Sequence, residues 1–238
     1  MELFYQESFQ PERATLDRDE SRHAVKVLRK TAGDRLLITD GKGNRYLTSI
    51  RVASASACQL HILEHDYFPV NEPPLHLALS PTKNTDRTEW FVEKAVEIGI
   101  HQISFILCDR SERKKINPDR LRRKAVAAMK QSYKWHLPRL TGLLNFSDFI
   151  ESVKEPTGCR YIAITHTDPA NHVLRVMHAN KPGVMVVGPE GDFSKQEVNL
   201  ALHSGFSPVS LSNHRLRTET AGVIGCHLMN LKQVVDKF

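Results

Sequence analysis

Two short runs in this 238-residue chain combine residue types that could do chemistry. In "GPEGDF", Gly188, Pro189, Glu190 and Gly191 supply backbone amides and a carboxylate, with glycines on either side of Pro-Glu. In "SNHRLRTETAG", Ser212 to Gly222, Arg215 and Arg217 stand beside Thr218 and Glu219. Glycines flanking a turn let a ligand approach the backbone, but they also make an ordinary strand-to-helix connection. Both readings stay open on that run alone. Thr218 and Glu219 precede an apolar stretch and could equally cap a helix. Taken together, the two runs offer amides and carbonyls with few charges, a lining suited to a neutral aromatic group such as adenine. No GxxxxGK[ST] run, GxGxxG run or GxSxG elbow is present. The carboxylates show no metal-binding spacing, so no metal is expected.

What must position these runs is a set of short apolar strands. "VMVV" precedes the first run and "PVSL" the second, while "YIAI" precedes a third polar loop, "THTDPANH". Ligands bind beyond the carboxyl ends of strands in open α/β sheets, so three such loops on one edge imply a pocket. Further strands are expected at "LHLALS" and "ISFILCD". The intervening helices run around "RTEWFVEKAVEIG", closed by Gly99, and from Asn117-Pro118 through "DRLRRKAVAAMKQSYK". Ser194 and Glu197 form a capping-box pattern ahead of another helix, and a last helix starts near "RTETAG". Alternating strands and helices predict an α/β domain with a mostly parallel sheet covered on both faces.

The first 70 residues read differently. Two β-rich runs are joined by Asp40-Gly41-Lys42-Gly43-Asn44, a hairpin signal with two glycines available for unusual φ angles, and "ACQLHILEHDY" supplies a third strand. A helix over Arg18 to Lys30 would place Ala24, Val27 and Leu28 on one face. "FPVNEPP" then reads as an extended linker. These features predict a small β-barrel-like module over residues 1–70 and a second domain over 74–238.

Composition narrows the class. The chain is 40% hydrophobic and 25% charged, with no stretch long enough to span a membrane and no leader pattern at its start. Cys58, Cys108, Cys159 and Cys226 lie far apart, which favours reduced core thiols and a cytoplasmic setting. The net charge of +6 is unevenly spread. Residues 1–70 carry ten Lys/Arg and ten Asp/Glu, whereas residues 110–139 carry eleven Lys/Arg against Glu112 and Asp119 alone. That excess is either a footprint for phosphates or a solvated helix face.

The paired runs "VGPEGDFSKQEV" and "LSNHRLRTETAG" resemble the signature of the RsmE family, SPOUT methyltransferases acting on N3 of a uridine in 16S ribosomal RNA. The likeness extends along the chain: "RHAVKVLRKTAGD" is similar to a segment of the family's PUA-like domain. "KNTDRTEWFVEKAVEIGI" and "KQSYKWHLPRL" resemble two further family segments. The resemblance implies a PUA-like β-barrel followed by a trefoil-knotted α/β SPOUT domain, S-adenosyl-L-methionine as cofactor, a homodimer, and 16S rRNA of the small ribosomal subunit as partner. Cofactor contacts are expected from Thr165, His166, Gly188, Pro189, Glu190, Gly191, Leu211, Ser212, Asn213, Leu216 and Thr218. RNA contacts are expected from His23, Arg29, Arg120, Arg122, Arg123 and Lys124.

Uracil N3 carries a proton near neutral pH and is a poor nucleophile until it leaves, while a sulfonium donor needs no metal. Arg217 is expected to stabilise the developing anion on the base. Glu219 is the nearest candidate base, but at a helix N-terminus its charged form is favoured, which points to positioning instead. Where the family has a second glycine after GPEG, this chain has Asp192, a residue that tolerates left-handed angles and could cap the following helix. The alternatives are a SPOUT enzyme acting on another RNA or base atom, and a non-catalytic RNA-binding protein on the same fold.

Overall fold

The computed structural model describes residues 1–70, 73–154, 158–165, 167–178 and 181–235. The chain divides into two compact units, Met1–Asn71 with Val126–Leu137, and Glu72–Ala125 with Pro138–Phe238. Among the described residues, no helix is long and apolar enough to cross a membrane.

The first unit contains β1 (Leu3–Tyr5), α1 (Arg18–Arg22), β2 (Arg35–Thr39), β3 (Asn44–Val52) and β4 (Gln59–Tyr67). They form a sheet in the order β1-β2-β3-β4, with β1 parallel to β2 and the other pairs antiparallel. The β2–β3 hairpin uses its glycines as its sequence requires: Gly41 and Gly43 sit at φ +72° and +102°. One face of the sheet is closed by Phe4, Leu36, Ile38, Tyr46, Ile50 and Leu60, with Phe9, Leu16 and Ala24 packed over them.

The predicted helix over residues 18–30 breaks into α1 and a π-helical turn, His23–Val27. Ser21 and Ala24 face the core, with Val25 and Leu28 packed beside them. Val27 points outward at 63% exposure, so the apolar face lies one step round from the expected one. The residues 126–137 also belong to this unit. Lys130 Nζ pairs with Glu20 Oε1 at 2.6 Å, and the Trp135 carbonyl accepts from the Gly43 N–H at 2.9 Å. The Leu137 N–H donates to the Gly41 carbonyl at 2.9 Å. These contacts are remote in sequence, which is why linear composition did not place the segment.

The second unit continues with β5 (Leu75–Leu79), α2 (Thr85–Ile98), β6 (Gln102–Leu107), α3 (Pro118–Gln131, whose last residues belong to the first unit) and β7 (Arg139–Asn145). It is completed by α4 (Phe146–Ser152), β8 (Cys159–Ala163), α5 (Val173–Val176), β9 (Gly183–Val187), α6 (Lys195–His203), β10 (Ser207–Val209) and α7 (Thr218–Val235). The sheet order is β10-β8-β9-β5-β6-β7 and every pairing is parallel.

Strand alternation explains the layers. Ala78, Ile106, Ile162 and Val186 face α4 and α6, packing with Phe146, Phe149, Ile150 and Ala201. On the opposite face, α7 lies against β5 and β9 so closely that a Cβ on Gly222 would come within 2.7 Å of Leu79 and Phe91. Strand β7 and helix α4 are elements that the sequence pattern does not announce. "RLTGLLN" is an edge strand interrupted by Gly142 and mostly unburied, so it lacks the apolar run of its neighbours. The proline-rich connection falls partly on residues 71 and 72, which lie outside the described residues.

Candidate active site

The carboxyl ends of β8, β9 and β10 open onto a cleft of about 430 Å³. Ile164 and Thr165 after β8, residues 188–190 and Asp192 after β9, and residues 210–212 and 214–218 after β10 line it, together with Arg87 from the first turn of α2. Its position is the crevice beyond a parallel sheet where ligands bind, and its volume suits a small organic molecule.

Local sequence explains how each loop holds its shape. After β9, the Asp192 N–H closes a turn on the Pro189 carbonyl at 2.9 Å. Neither Gly188 nor Gly191 has a left-handed φ angle. A Cβ on Gly188 would lie 2.9–3.1 Å from the Phe193 ring, and one on Gly191 would lie 3.2 Å from Arg110. The backbone approach that the glycines permit is therefore made by the protein itself. Arg110 completes the clasp by donating to the Gly191 carbonyl at 2.9 Å.

Asp192 carries the left-handed angle, at φ +60°. It does not cap α6, because Ser194 does so in a full capping box with Glu197. Instead Asp192 Oδ1 accepts from the Phe193 N–H at 2.8 Å, and Oδ2 accepts from the Thr165 hydroxyl at 2.8 Å. One side chain thus ties the loop after β9 to the loop after β8.

The start of α7 is fixed from the same side. The Thr218 hydroxyl donates to the Gly188 carbonyl at 3.1 Å, joining α7 to the end of β9. The Arg217 carbonyl accepts the Ala221 N–H at 2.8 Å, which places Arg217 at the N-terminal end of α7, where the helix dipole disfavours a cation. Arg217 is exposed and lines the cleft, and Arg215 reaches back toward the Glu190 carbonyl at 3.4 Å. Glu190 accepts the Lys83 N–H on Oε1 at 3.1 Å. Glu219 is 93% buried, with Oε1 at 3.7 Å from Arg87 Nε. The second carboxylate oxygens of Glu190 and Glu219 are buried and have no hydrogen-bond partner among the described residues. Orphaned buried acceptors are costly, and Glu190 lines the cleft, so its free oxygen is fitted to a ligand that donates a hydrogen bond, whereas Glu219 is not among the lining residues.

Among the residues expected to hold the cofactor, Thr165, Gly188, Pro189, Glu190, Leu211, Ser212, Leu216 and Thr218 line the cleft, while Gly191 and Asn213 do not. His166 lies outside the described residues. Arg87, Asp192 and His214 line it without having been singled out as ligands. The signal for Arg87 was its place just after β5, on the same sheet edge, in the first turn of α2.

None of the residues expected at an RNA surface is among those that line the cleft. His23 and Arg29 are exposed, with His23 edge-on to Phe4 at 5.9 Å. Arg120 pairs with the buried Glu89 and reaches Asp86 at 3.3 Å, while Lys124 lies 4.0 Å from Glu89. Arg122 and Arg123 are exposed. Part of the basic run is therefore neutralised by α2. Among the described residues, no group of three or more His, Cys, Asp and Glu is placed to hold a metal ion.

Residues 70–230 match the family described as RNA methyltransferase domain, and residues 16–63 match RNA methyltransferase PUA domain. The chain is 35% identical to a probable rRNA-methyltransferase from Porphyromonas gingivalis, whose crystal structure superposes with a TM-score of 0.91 over 99% of this chain and 100% of that one. It is 27% identical over 222 residues to ribosomal RNA small subunit methyltransferase E of Synechocystis sp., covering 91% of this chain and 72% of the relative. The Neisseria gonorrhoeae ribosomal RNA small subunit methyltransferase E, solved bound to S-adenosyl methionine, shares the fold at 24% identity and a TM-score of 0.84, over 97% of each chain. On these matches, which run through both units, the chain belongs to the RsmE family of ribosomal RNA methyltransferases.

Proposed function

We propose that this protein methylates N3 of a uridine in 16S ribosomal RNA of the small subunit, using S-adenosyl-L-methionine, and that it works as a cytoplasmic homodimer with a trefoil-knotted catalytic domain. The observation that carries the reading is the meeting of the Gly188–Gly191 turn and the Leu216–Ala221 segment at one cleft, in a chain of this family. The cleft fits the cofactor chemically. Backbone groups of residues 188–190, 211–212 and 214–216 suit an adenine and its ribose, and the orphaned oxygen of Glu190 is an acceptor for a donor group. Thr165, Gly188, Pro189, Glu190, Leu211, Ser212, Leu216 and Thr218 would hold it. The proposed set also includes His166, Gly191 and Asn213.

When bound, the sulfonium supplies the methyl group: the N3–carbon bond forms as the sulfur–carbon bond breaks, its electron pair goes to sulfur, and the N3 proton passes to water. The protein's part is to hold N3 in line and to stabilise the anion left by that proton. Arg217 is the residue proposed for this, because it lines the cleft, is exposed and has its guanidinium in no ion pair among the described residues. Glu219, buried in the first turn of α7, is assigned a positioning role. His23, Arg29, Arg120, Arg122, Arg123 and Lys124 are proposed RNA contacts, of which Arg120, Arg122 and Arg123 are exposed on α3.

Nucleoside mass spectrometry of ribosomal RNA from a strain lacking the gene, with calorimetry of the pure protein and S-adenosylmethionine, tests the reading. Loss of N3-methyluridine together with cofactor heat supports it. A different missing nucleoside means another target atom, and no cofactor heat means a binding protein.

A further inference from the structure

We propose that Arg87 is a second cation on the reacting base, held in place by Glu219. This rests on the reading above. Removing the N3 proton from uracil does not leave charge on nitrogen alone. N3 lies between two carbonyls, and the negative charge spreads onto the oxygens on both sides. One arginine can serve one oxygen, so full stabilisation calls for a second donor facing the other.

Arg87 is where such a donor would stand. It lines the same cleft as Arg217, but from α2 rather than from the residue that precedes α7, so the two arginines belong to different segments. Like Arg217, it sits at the beginning of a helix, where the dipole disfavours a cation. A residue that breaks a local rule in a lined cleft marks function when something compensates it nearby. The compensation is Glu219, 93% buried in the first turn of α7, whose Oε1 lies 3.7 Å from Arg87 Nε. That distance gives an ion pair without a hydrogen bond. Among the described residues, the Arg87 side chain makes no hydrogen bond, so its N–H groups remain able to donate to a ligand. The Glu219 Oε2 atom is buried without a hydrogen-bond partner, so among the described residues this carboxylate pairs with Arg87 alone.

On this assignment Glu219 is a positioning residue that acts through Arg87. In the transfer itself the N3–carbon bond forms, the sulfur–carbon bond breaks and the proton leaves to water. Arg87 and Arg217 share the charge that the departing proton uncovers.

The test uses the full-length protein and its wild type, with variants Arg87→Ala, Arg87→Lys, Glu219→Gln and Arg87→Ala/Glu219→Gln. Single-turnover methyl transfer on saturating RNA is followed across pH, alongside cofactor and RNA affinities and thermal melting. Arg87→Ala is expected to slow transfer by about 10²-fold, the scale of losing one oxyanion donor, with both affinities kept. Its rate should climb more steeply with pH than wild type, because hydroxide does in advance what the arginine helped. Arg87→Lys, which folds with the charge retained, should recover part of the rate. Adding Glu219→Gln to Arg87→Ala should cost nothing further, since the carboxylate acts only through the arginine. A wild-type rate for Arg87→Ala overturns the assignment, as does a loss confined to cofactor affinity. Additive losses in the double variant overturn the role of Glu219. Absence of N3-methyl product from the wild type would instead sink the proposed function.

Discussion

Asp192 separates two contributions that usually travel together, a side-chain link and a backbone conformation. Its φ of +60° disfavours any residue with a Cβ, by about 1–2 kcal/mol per left-handed residue. Against that, its carboxylate accepts from the Thr165 hydroxyl at 2.8 Å and from the Phe193 N–H at 2.8 Å. Both bonds are partly solvated, so together they contribute about 1 kcal/mol net. Asp192→Ala keeps the strained angle and loses the link, so it should destabilise by about 1–2 kcal/mol. Asp192→Gly loses the link but relieves the angle, and the greater freedom of glycine in the unfolded chain takes back about 0.4–1 kcal/mol. Glycine should therefore stay within about 1 kcal/mol of wild type, and Asp192→Asn, which keeps an acceptor and tolerates the angle, should lie closest. For a chain of this size the alanine variant should melt about 3–6 °C lower. Both the alanine and glycine variants free the Thr165 loop, so both should bind S-adenosylmethionine about tenfold more weakly. Denaturant unfolding and calorimetric titration of the three variants measure the two effects separately. Equal stability of alanine and glycine variants would refute the strain argument, and unchanged cofactor affinity in both would refute the link between the two loops.

Three further outcomes follow from the packing and the charges. Gly222→Ala places a methyl group within 2.7 Å of Leu79 and Phe91, so it should destabilise by about 1–3 kcal/mol in a denaturant titration while leaving RNA affinity alone. His76, half-buried beside Phe149 and near Arg139, has its imidazole pushed down to about 4 from an ordinary 6.5 by desolvation and by the arginine's charge. The unfolded chain therefore takes up this proton first, and stability present above pH 6.5 is lost as pH falls toward 4, by about 3 kcal/mol in all. Melting of His76→Gln should show a flatter pH dependence across that window, and an unchanged slope would assign the acid loss elsewhere. Arg120→Ala should cost about 1–3 kcal/mol by leaving the buried Glu89 short of a partner, whereas the exposed Arg123→Ala should leave stability unchanged and lower the salt slope of RNA binding by about one.

The central strands of the parallel sheet were legible because β5, β6, β8 and β9 are short, largely buried apolar runs. Their neighbouring helices announce themselves through local chemistry, as in the Ser194–Glu197 capping box and Gly99 at φ +114°. Contacts that depend on distant residues were not legible. The sequence cannot say that the Phe193 ring occupies the space beside Gly188, so the glycine reads equally as room for a ligand. Nor can it say that Asp192 reaches Thr165 across 27 positions, or that Glu219 faces Arg87. Edge strand β7 failed for a different reason: one face is never covered, so its composition is that of a surface.

The first unit is discontinuous in sequence, and that has a consequence for its synthesis. Strands β1 to β4 leave the ribosome early, yet Lys130, Trp135 and Leu137 supply contacts the unit cannot make with its first 71 residues alone. At ordinary elongation rates the missing segment follows on the order of ten seconds later. Until then the nascent sheet waits with the Gly41 carbonyl and the Gly43 N–H unmatched, a window in which a chaperone has something to hold. A gene truncated after residue 71 would make that waiting state permanent, so fragments meant to isolate this unit need residues 126–137 restored, in cis or as a separate peptide.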